Sequence, residues 1–163
     1  MLSIIDRIIF LKEVPFFQGM DMDHLKALAS LCEERLFEKG AYIFTDGDPG
    51  GILYVVVNGR VGIEQEKRAG SFVRISESEA YSYFGETDFF DNQPRTTAAV
   101  AIRDTLVLML RREPVIEFAR EDPNLAMELI NILSERLREN NDRLAEMTRA
   151  QPRQLDKFFT KFD

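Results

Sequence analysis

The stretch Tyr83–Ala101 reads YFGETDFFDNQPRTTAAVA and carries the most informative pattern in the 163-residue chain. An aromatic residue, Gly85 and Glu86 form a turn that opens a short amphipathic segment. The cluster Asp91–Pro94 then breaks this segment, because Asp, Asn and Pro each favour turn conformations. Arg95 and two threonines follow, and the apolar run after them is predicted to enter a strand.

The residue types in this stretch suit an anion and a hydroxyl group held side by side. Gly85, near the start of a short predicted helix, lets backbone N–H groups approach a ligand closely, and helix N-termini favour anions. Arg95 offers a planar fork of donors to the same anion. Glu86 cannot bind a phosphate, so in such a site it would accept a hydrogen bond from a hydroxyl. The pattern therefore predicts a phosphate and a sugar bound together.

These residues resemble the phosphate-binding cassette of the cyclic-nucleotide-binding domain family, which includes bacterial catabolite activator proteins and the regulatory subunits of cyclic-AMP-dependent kinase. The family pattern is F-G-E, two residues, two apolar residues, a short gap, and then P-R followed by a small or hydroxyl residue and Ala. The corresponding residues here are Phe84–Glu86, Phe89–Phe90 and Pro94–Thr97. The resemblance extends from about Val14 to Arg149. DNA-binding members add a helix-turn-helix, so this chain looks like a catabolite-activator-type sensor domain without one.

The resemblance implies a role for each residue of the cassette. In the family the Glu holds the ribose 2′-hydroxyl and the Arg neutralises the cyclic phosphate, so these roles fall on Glu86 and Arg95. Thr96, directly after the Arg, implies a hydroxyl contact and a small preference for cyclic GMP over cyclic AMP. The predicted ligand-binding residues are Phe84, Gly85, Glu86, Thr87, Asp88, Arg95, Thr96 and Thr97. No catalytic residue, metal ligand or cofactor is predicted.

Two positions depart from the family pattern. Asp88 stands where the family usually has Ala, Ser or Gly, whose backbone N–H meets the phosphate. We expect the Asp88 side chain to turn outward, so that only its backbone N–H faces the ligand. The approach to the cassette, Glu79–Ser82, lacks the Gly-Asp turn that the family usually has there. Both departures bear on ligand affinity, and neither bears on the fold.

Outward from the cassette, the whole chain is predicted to be one mainly β domain with flanking helices. A helical lead-in covers residues 1–32 and ends with a helix capped by Asp21. The barrel covers 33–112, where the hydrophobic period changes to two and short strands alternate with Gly turns. These features predict a jelly-roll barrel, the double-stranded β-helix, in which the cassette occupies 83–97.

Two links in this chain have predictable conformations. Val14–Phe17 is expected to be extended, because a proline at its second position restricts the residue before it. The Asn-Gly pair at 58–59 is a strong hairpin signal. Strand Ile52–Val57 is therefore expected to pair with strand Arg60–Gln65.

After the barrel, two helices are predicted over 113–149. Asp122-Pro123 separates them, since proline cannot continue a helix's hydrogen bonding. The second helix carries a heptad seam with one polar member: Ile130, Leu133, Leu137, Asn140, Leu144 and Met147. The seam suits either a homodimer through helix 124–149 or packing on the chain's own barrel. In the tail, 150–163, the amphipathic segment Leu155–Phe162 is expected to dock on the barrel or fray.

Composition limits the possible classes of function. The net charge is −7, with cations spread among carboxylates, and a nucleic-acid binder would usually show a basic face. The residues after position 149 are also too few for a helix-turn-helix domain, so direct DNA binding is not expected. A metal-dependent barrel enzyme would need several histidines. The chain has one, His24, which is expected on the surface.

The cellular compartment can be judged from apolar runs and cysteine usage. No apolar run approaches the roughly 20 residues that span a bilayer, and no signal-peptide cleavage site is visible. The single cysteine, Cys32, excludes an intrachain disulfide and is expected to pack in a helix. These features predict a cytoplasmic protein.

Two functions follow from the sequence. The first is a regulatory sensor that binds cyclic AMP or cyclic GMP and relays binding to an unidentified downstream protein through its C-terminal helix. The alternative is a degenerate cyclic-nucleotide-binding fold that serves protein–protein interaction without nucleotide. For Glu86 and Arg95, the alternative to ligand contact is a salt bridge with each other inside the loop.

Overall fold

The computed structural model describes residues 1–150. The helices are α1 (Ile4–Glu13), α2 (Met22–Leu31), α3 (Arg112–Glu121) and α4 (Pro123–Ala150). The strands are β1 (Glu33–Phe37), β2 (Tyr42–Phe44), β3 (Ile52–Asn58), β4 (Arg60–Arg68), β5 (Ser71–Glu79), β6 (Tyr83–Phe84), β7 (Ala98–Ala101) and β8 (Thr105–Arg111). One compact unit comprises Met1–Pro123, and a second begins at Asn124. The expectation for Leu155–Phe162 lies outside the described residues.

Two four-stranded antiparallel sheets form the barrel, in the orders β1-β8-β3-β6 and β2-β7-β4-β5. Their apolar side chains form one buried cluster, because alternate residues of each strand point to the same face. Its members are Phe37, Phe44, Tyr54, Val56, Val61, Phe84, Ala99, Ala101, Val107 and Met109. The predicted fold class, a jelly-roll barrel with flanking helices and a long C-terminal helix, is confirmed.

The link at 58–59 differs from its prediction. Strand β3 pairs with β8 and β6, whereas β4 pairs with β5 and β7, so the two strands lie in different sheets. Asn58 is the last residue of β3, and only Gly59 takes a positive φ, of 110°. A type I′ hairpin turn needs positive φ at both central residues. The hairpin prediction is therefore wrong: both edges of β3 are already occupied, and the link carries the chain from one sheet to the other.

The link at Val14–Phe17 is also more compact than expected. Val14 is extended, as the residue before a proline should be, but Pro15–Phe17 form a 3₁₀ turn. The N–H of Phe17 donates to the Val14 carbonyl at 2.9 Å. Proline is pre-organised for the first position of a helical turn. This turn also buries Phe16 and Phe17, so burial of the two rings favours it over the extended form.

The helical lead-in is capped as predicted, and one of its residues is not where we expected it. Asp21 caps α2 by accepting from the Asp23 N–H at 2.9 Å. The surface prediction for His24 is wrong: it is 7% exposed, and its Nε2 lies 2.8 Å from Asp122 Oδ2. The reason is tertiary, because the ring also lies edge-on to Phe118 of α3, 6.0 Å between centroids.

Cys32 follows α2 and is buried, as expected. Burial raises the pKa of its thiol to about 12. A thiol with such a pKa stays protonated at neutral pH and is therefore a poor nucleophile. Its role is packing at the end of the lead-in.

The helices after the barrel break at the predicted place. Helix α3 ends at Glu121, Asp122 follows with an extended conformation, and α4 begins at Pro123. Within residues 1–150, no helix combines the length and the apolar character needed to cross a membrane.

We expect Gly59→Ala to destabilise the domain more than Gly70→Ala. Both glycines have positive φ, 110° and 79°, so each substitution introduces backbone strain of about 1–2 kcal/mol. A Cβ at position 59 would lie 2.6 Å from the Cα of Thr105 and 2.7 Å from the carbonyl oxygen of Asp104, whereas a Cβ at position 70 meets open space. Overpacking of this kind adds about 1–3 kcal/mol. Denaturant unfolding measures the free energy of unfolding of both variants. Equal losses of stability would contradict steric crowding at residue 59.

Candidate functional site

A cavity of about 260 Å³ opens beside the cassette, within the unit Met1–Pro123. Its lining residues are Phe44, Ile63, Ile75, Ser76, Ser78, Tyr83, Phe84, Gly85, Glu86, Thr87, Asp88, Thr96 and Thr97. The structure thus brings together every predicted ligand-binding residue at one wall except Arg95, which lies beneath the surface. The volume is near the lower end of the roughly 300–1,000 Å³ typical of small-molecule sites.

Part of this lining was missed by sequence reasoning. Ile63 of β4 lies opposite Ser76 of β5, and Ile75 and Ser78 share the β5 strand. Phe44 comes from β2. Strand alternation could have indicated which of these residues share a face. It could not indicate that the β4–β5 hairpin faces the cassette, because that depends on how the two sheets pair.

The cassette after Gly85 is a series of turns, and the predicted short helix is not formed. Residues 87–91 have turn geometry, and the N–H of Phe89 donates to the Glu86 carbonyl at 3.3 Å. The carbonyl of Asp88 instead accepts from the Gly51 N–H at 3.1 Å. That tertiary bond draws the backbone toward the 45–51 turn and away from a helical ladder. The cassette therefore offers no helix N-terminus to an anion.

The backbone of Arg95 is fixed by the turn before β3. Its N–H donates to the Asp48 carbonyl, and its carbonyl accepts from the Gly47 N–H, both at 2.8 Å. These two bonds hold the end of the cassette against the turn. As a result the side chain of Arg95 runs inward, and the residue is only 2% exposed.

The guanidinium group of Arg95 has a dense set of partners. Nη1 donates to the Gly85 carbonyl at 3.0 Å and to Asp88 Oδ2 at 2.8 Å. Nη2 donates to the Ile52 carbonyl at 2.7 Å. The ring of Phe44 covers the group, with its centroid 4.2 Å from the guanidinium carbon, a cation–π arrangement. Among the described residues, Nε has no hydrogen-bond partner.

The close approach of Arg95 explains the glycine of the cassette. Gly85 has a φ of 80°, a backbone conformation that residues other than glycine rarely adopt. A Cβ there would lie 2.8 Å from Arg95 Nη1 and 2.9 Å from the Ile52 carbonyl oxygen. Gly85 is therefore required by the buried guanidinium as well as by access to the cavity.

The outward orientation predicted for Asp88 is wrong. The residue is 6% exposed, and its carboxylate pairs with Arg95. A buried charge is costly unless it is paired, and the other hydrogen-bond acceptors around this guanidinium are neutral carbonyls. Asp88 supplies the compensating negative charge, which outweighs the preference of an isolated carboxylate for water.

Burial perturbs two other ionisable groups at the site. It raises the pKa of the Glu86 carboxyl above its ordinary value, and the neighbouring Asp88 charge acts in the same direction. Burial also raises the pKa of the Tyr54 phenol, and the nearby charge of Arg95 opposes that shift. The surroundings of Glu86 in the cavity therefore disfavour the negative charge of its carboxyl group.

The missing glycine before the cassette is replaced by a residue with unusual backbone geometry. Tyr81 has a φ of 66°, in the left-handed region. Its N–H donates to the Val56 carbonyl at 3.0 Å, and its ring stacks on Phe10 of α1 at 4.6 Å. Tyr81 therefore makes the turn before the cassette in a left-handed conformation, and its ring packs on α1.

The arrangement suits ligand binding more than catalysis. The cavity offers hydroxyls from Thr96 and Ser78, a carboxylate from Glu86, and apolar walls from Ile63 and Ile75. Such a surface can hold a sugar and a flat ring. Within residues 1–150, no group of three or more His, Cys, Asp or Glu side chains is placed to hold a metal ion.

Comparison with known proteins identifies the family pattern. The family model described as the cyclic nucleotide-binding domain matches residues 34–122, which is more than half of the chain. The chain is 33% identical over 129 residues to the cyclic AMP receptor protein of Thermus thermophilus, covering 79% of this chain and 60% of that protein. It is 28% identical to a CRP-like cAMP-activated global transcriptional regulator of Mycobacterium tuberculosis, covering 80% and 58%.

Solved structures give the same result. The catabolite activator protein of Thermus thermophilus superposes with a TM-score of 0.68 at 31% identity, covering 82% of this chain and 63% of that one. The regulatory domain of Toxoplasma gondii PKA, crystallised with cAMP, superposes with a TM-score of 0.68 at 25% identity, covering 82% and 49%. The chain thus spans about three fifths of the length of the curated bacterial relatives it matches.

We expect Glu86→Gln to be more stabilising at pH 7 than at pH 4. Because the pKa of Glu86 is raised in the folded state, its contribution to stability is fully present below its ordinary pKa and is lost as pH rises through the raised value. The neutral amide avoids this loss. Denaturant unfolding from pH 4 to pH 7 measures the difference from wild type, with the exposed Glu117→Gln of α3 as the charge-matched control. A Glu86→Gln difference that falls with rising pH would contradict burial as the dominant effect.

Proposed function

Because the chain belongs to the cyclic nucleotide-binding domain family, we propose that it is a regulatory sensor that binds a cyclic nucleotide in the cavity beside residues 83–97. One observation carries this proposal: the cavity joins the Glu86 carboxylate and the Thr96 hydroxyl at one wall, with Arg95 bonded directly behind Asp88. Glu86 is the acceptor for a ribose hydroxyl. Arg95 is the cation for the cyclic phosphate, and a charge-assisted bond to phosphate is among the stronger hydrogen bonds.

The identity of the nucleotide is open between two candidates. The relatives from Thermus thermophilus and Mycobacterium tuberculosis are named for cyclic AMP, which supports that ligand. The hydroxyl of Thr96 supports a small preference for cyclic GMP, because it can accept from the guanine amino group. Thermal-shift measurements with both cyclic nucleotides and with linear nucleotides separate these ligands, since a ligand of the folded state raises the melting temperature by mass action.

A second function is favoured by one specific observation. Arg95 already has a carboxylate partner in Asp88 at 2.8 Å, so the domain can satisfy its buried cation without nucleotide. This favours the degenerate fold that acts only through protein–protein contacts. Absence of any thermal shift with cyclic nucleotides, in a folded protein, would support that function over the sensor.

Relay of the signal to an unidentified protein partner is assigned to α4. Five apolar side chains at heptad spacing on this helix are 39–66% exposed: Ile130, Leu133, Leu137, Leu144 and Met147. Apolar side chains exposed in a row favour a partner, and heptad spacing favours a second helix of the same kind. The proposal is a homodimer through helix 124–149. The break at Asp122-Pro123 would let ligand binding change the direction of that helix.

The proposed role is regulatory, cytoplasmic and without catalysis or direct DNA contact by these residues. The relatives include a transcriptional regulator and a cAMP-dependent protein kinase regulatory subunit, which supports regulation. The net charge of −7 supports transmission of the signal to a protein partner rather than to nucleic acid.

We expect Arg95→Ala to abolish the binding of cyclic AMP or cyclic GMP. No lining residue of the cavity among those described is Lys or Arg, so no other cation replaces it there. Isothermal titration calorimetry should show a loss of at least 100-fold, about 2.7 kcal/mol. Glu86→Ala removes one hydroxyl acceptor and should cost about 1–3 kcal/mol.

The control for Arg95→Ala is Arg103→Ala, which removes the same charge from an exposed position. The double variant Asp88→Ala/Arg95→Ala avoids leaving the Asp88 carboxylate buried and unpaired, so it separates binding from folding. If either folded Arg95 variant binds with wild-type affinity, the phosphate is held elsewhere and the assignment fails.

We expect Leu137→Asp to convert a dimer into monomers. A charge in the middle of an apolar seam is costly to bury without a partner. Asn131→Asp adds the same charge to α4 outside the seam and should leave the dimer intact. Size-exclusion chromatography with light scattering measures both. A wild-type protein that stays monomeric at high concentration, with and without nucleotide, would remove the homodimer from the proposal.

A further inference from the structure

We propose that Asp88 is a tethered anion that occupies Arg95 in place of a ligand phosphate, so that an anionic ligand binds only by displacing the Asp88 carboxylate. The pair would keep the ligand-free site in a closed state. The inference deepens the proposed function and rests on it for the identity of the natural ligand. The exchange of anions at Arg95 can nevertheless be tested without a nucleotide.

The first support is the position of the pair. Asp88 lines the cavity and bonds Arg95 Nη1 at 2.8 Å, whereas Arg95 itself does not reach the cavity wall. The side chain of Arg95 is 1% exposed. A ligand in the cavity therefore meets the Asp88 carboxylate before it meets the guanidinium. A phosphate oxygen that accepts from Nη1 would compete with the Asp88 carboxylate for that donor.

The second support is the charge of the cavity wall. Its ionisable carboxyl groups are Glu86 and Asp88, and no Lys or Arg lies among its described lining residues. A phosphate that entered while Asp88 held Arg95 would face carboxylates without a free cation, and like charges repel strongly in a partly buried site. Movement of Asp88 toward solvent converts the same wall into an anion site.

The third support is that hydrogen bonds hold the backbone of both residues independently of the ion pair. The Asp88 carbonyl accepts from the Gly51 N–H at 3.1 Å, so in the proposed exchange the carboxylate leaves Arg95 by a change of side-chain rotamer. The bonds from Arg95 to the Gly85 and Ile52 carbonyls do not involve Asp88, so they can hold the guanidinium during the proposed exchange. Its Nε, which has no partner among the described residues, is a further donor for an incoming oxygen.

The test compares wild type with Asp88→Ala and Asp88→Asn. Asparagine retains an acceptor for Arg95 and removes the charge, so it keeps the test available if the alanine variant folds poorly. Asp46→Ala is the control, because Asp46 is an exposed carboxylate in the neighbouring turn. The first probe is inorganic phosphate at constant ionic strength. Its binding is detected by thermal unfolding and by the NMR signal of the Arg95 Nε–H. Cyclic AMP and cyclic GMP are then titrated by calorimetry.

We expect phosphate to raise the melting temperature of the Asp88 variants and to shift their Arg95 Nε–H signal, with no such response in wild type or Asp46→Ala. Cyclic nucleotide affinity should increase at least tenfold in the Asp88 variants and stay within about twofold in the control.

Equal nucleotide affinity in wild type and the Asp88 variants would overturn the inference and leave the sensor function standing. A phosphate response in the variants without nucleotide binding would support the inference and reject the sensor function. Weaker nucleotide binding in the variants, or no response to either probe, would overturn the inference.

Discussion

The buried positive charge of Arg95 is the constraint around which the site is built. Its guanidinium is held by two main-chain carbonyls, by the ring of Phe44 and by the carboxylate of Asp88. Breaking a buried ion pair by removing one partner typically costs about 3–5 kcal/mol. The turn before β3 must therefore fix the backbone of Arg95, and Gly85 must leave room for its side chain.

The same constraint links fold and function. The barrel supplies the Ile52 carbonyl from one sheet and Phe44 from the other, so both sheets contribute to the environment of one guanidinium. An anion that takes the place of Asp88 would act on both sheets and on the cassette at once. A binding event can move an equilibrium only as far as it interacts differently with the two states, and the proposed exchange of one anion for another at Arg95 would provide that difference.

Sequence patterns predicted the features that depend on local chemistry. The alternation of the strands, the cap at Asp21 and the break before Pro123 are all readable from neighbouring residues. The cassette 83–97 lies beside a cavity, and its contacts with a ligand stay a prediction. Features that depend on distant partners were predicted wrongly. His24 is buried because α3 covers it, the 58–59 link joins two sheets because β3 has no free edge, and Asp88 turns inward because Arg95 needs a counter-charge. No residue adjacent in sequence carries that information.

The most direct test of a shared anion site is a crystal structure of the protein with cyclic AMP or cyclic GMP bound. The predicted result is that phosphate oxygens lie within hydrogen-bond distance of the Arg95 guanidinium, that the Asp88 carboxylate has turned away from it, and that Glu86 accepts from a ribose hydroxyl. An intact Arg95–Asp88 pair at 2.8 Å, as in the present structure, with the phosphate bound by other groups, would contradict the central role given to Arg95.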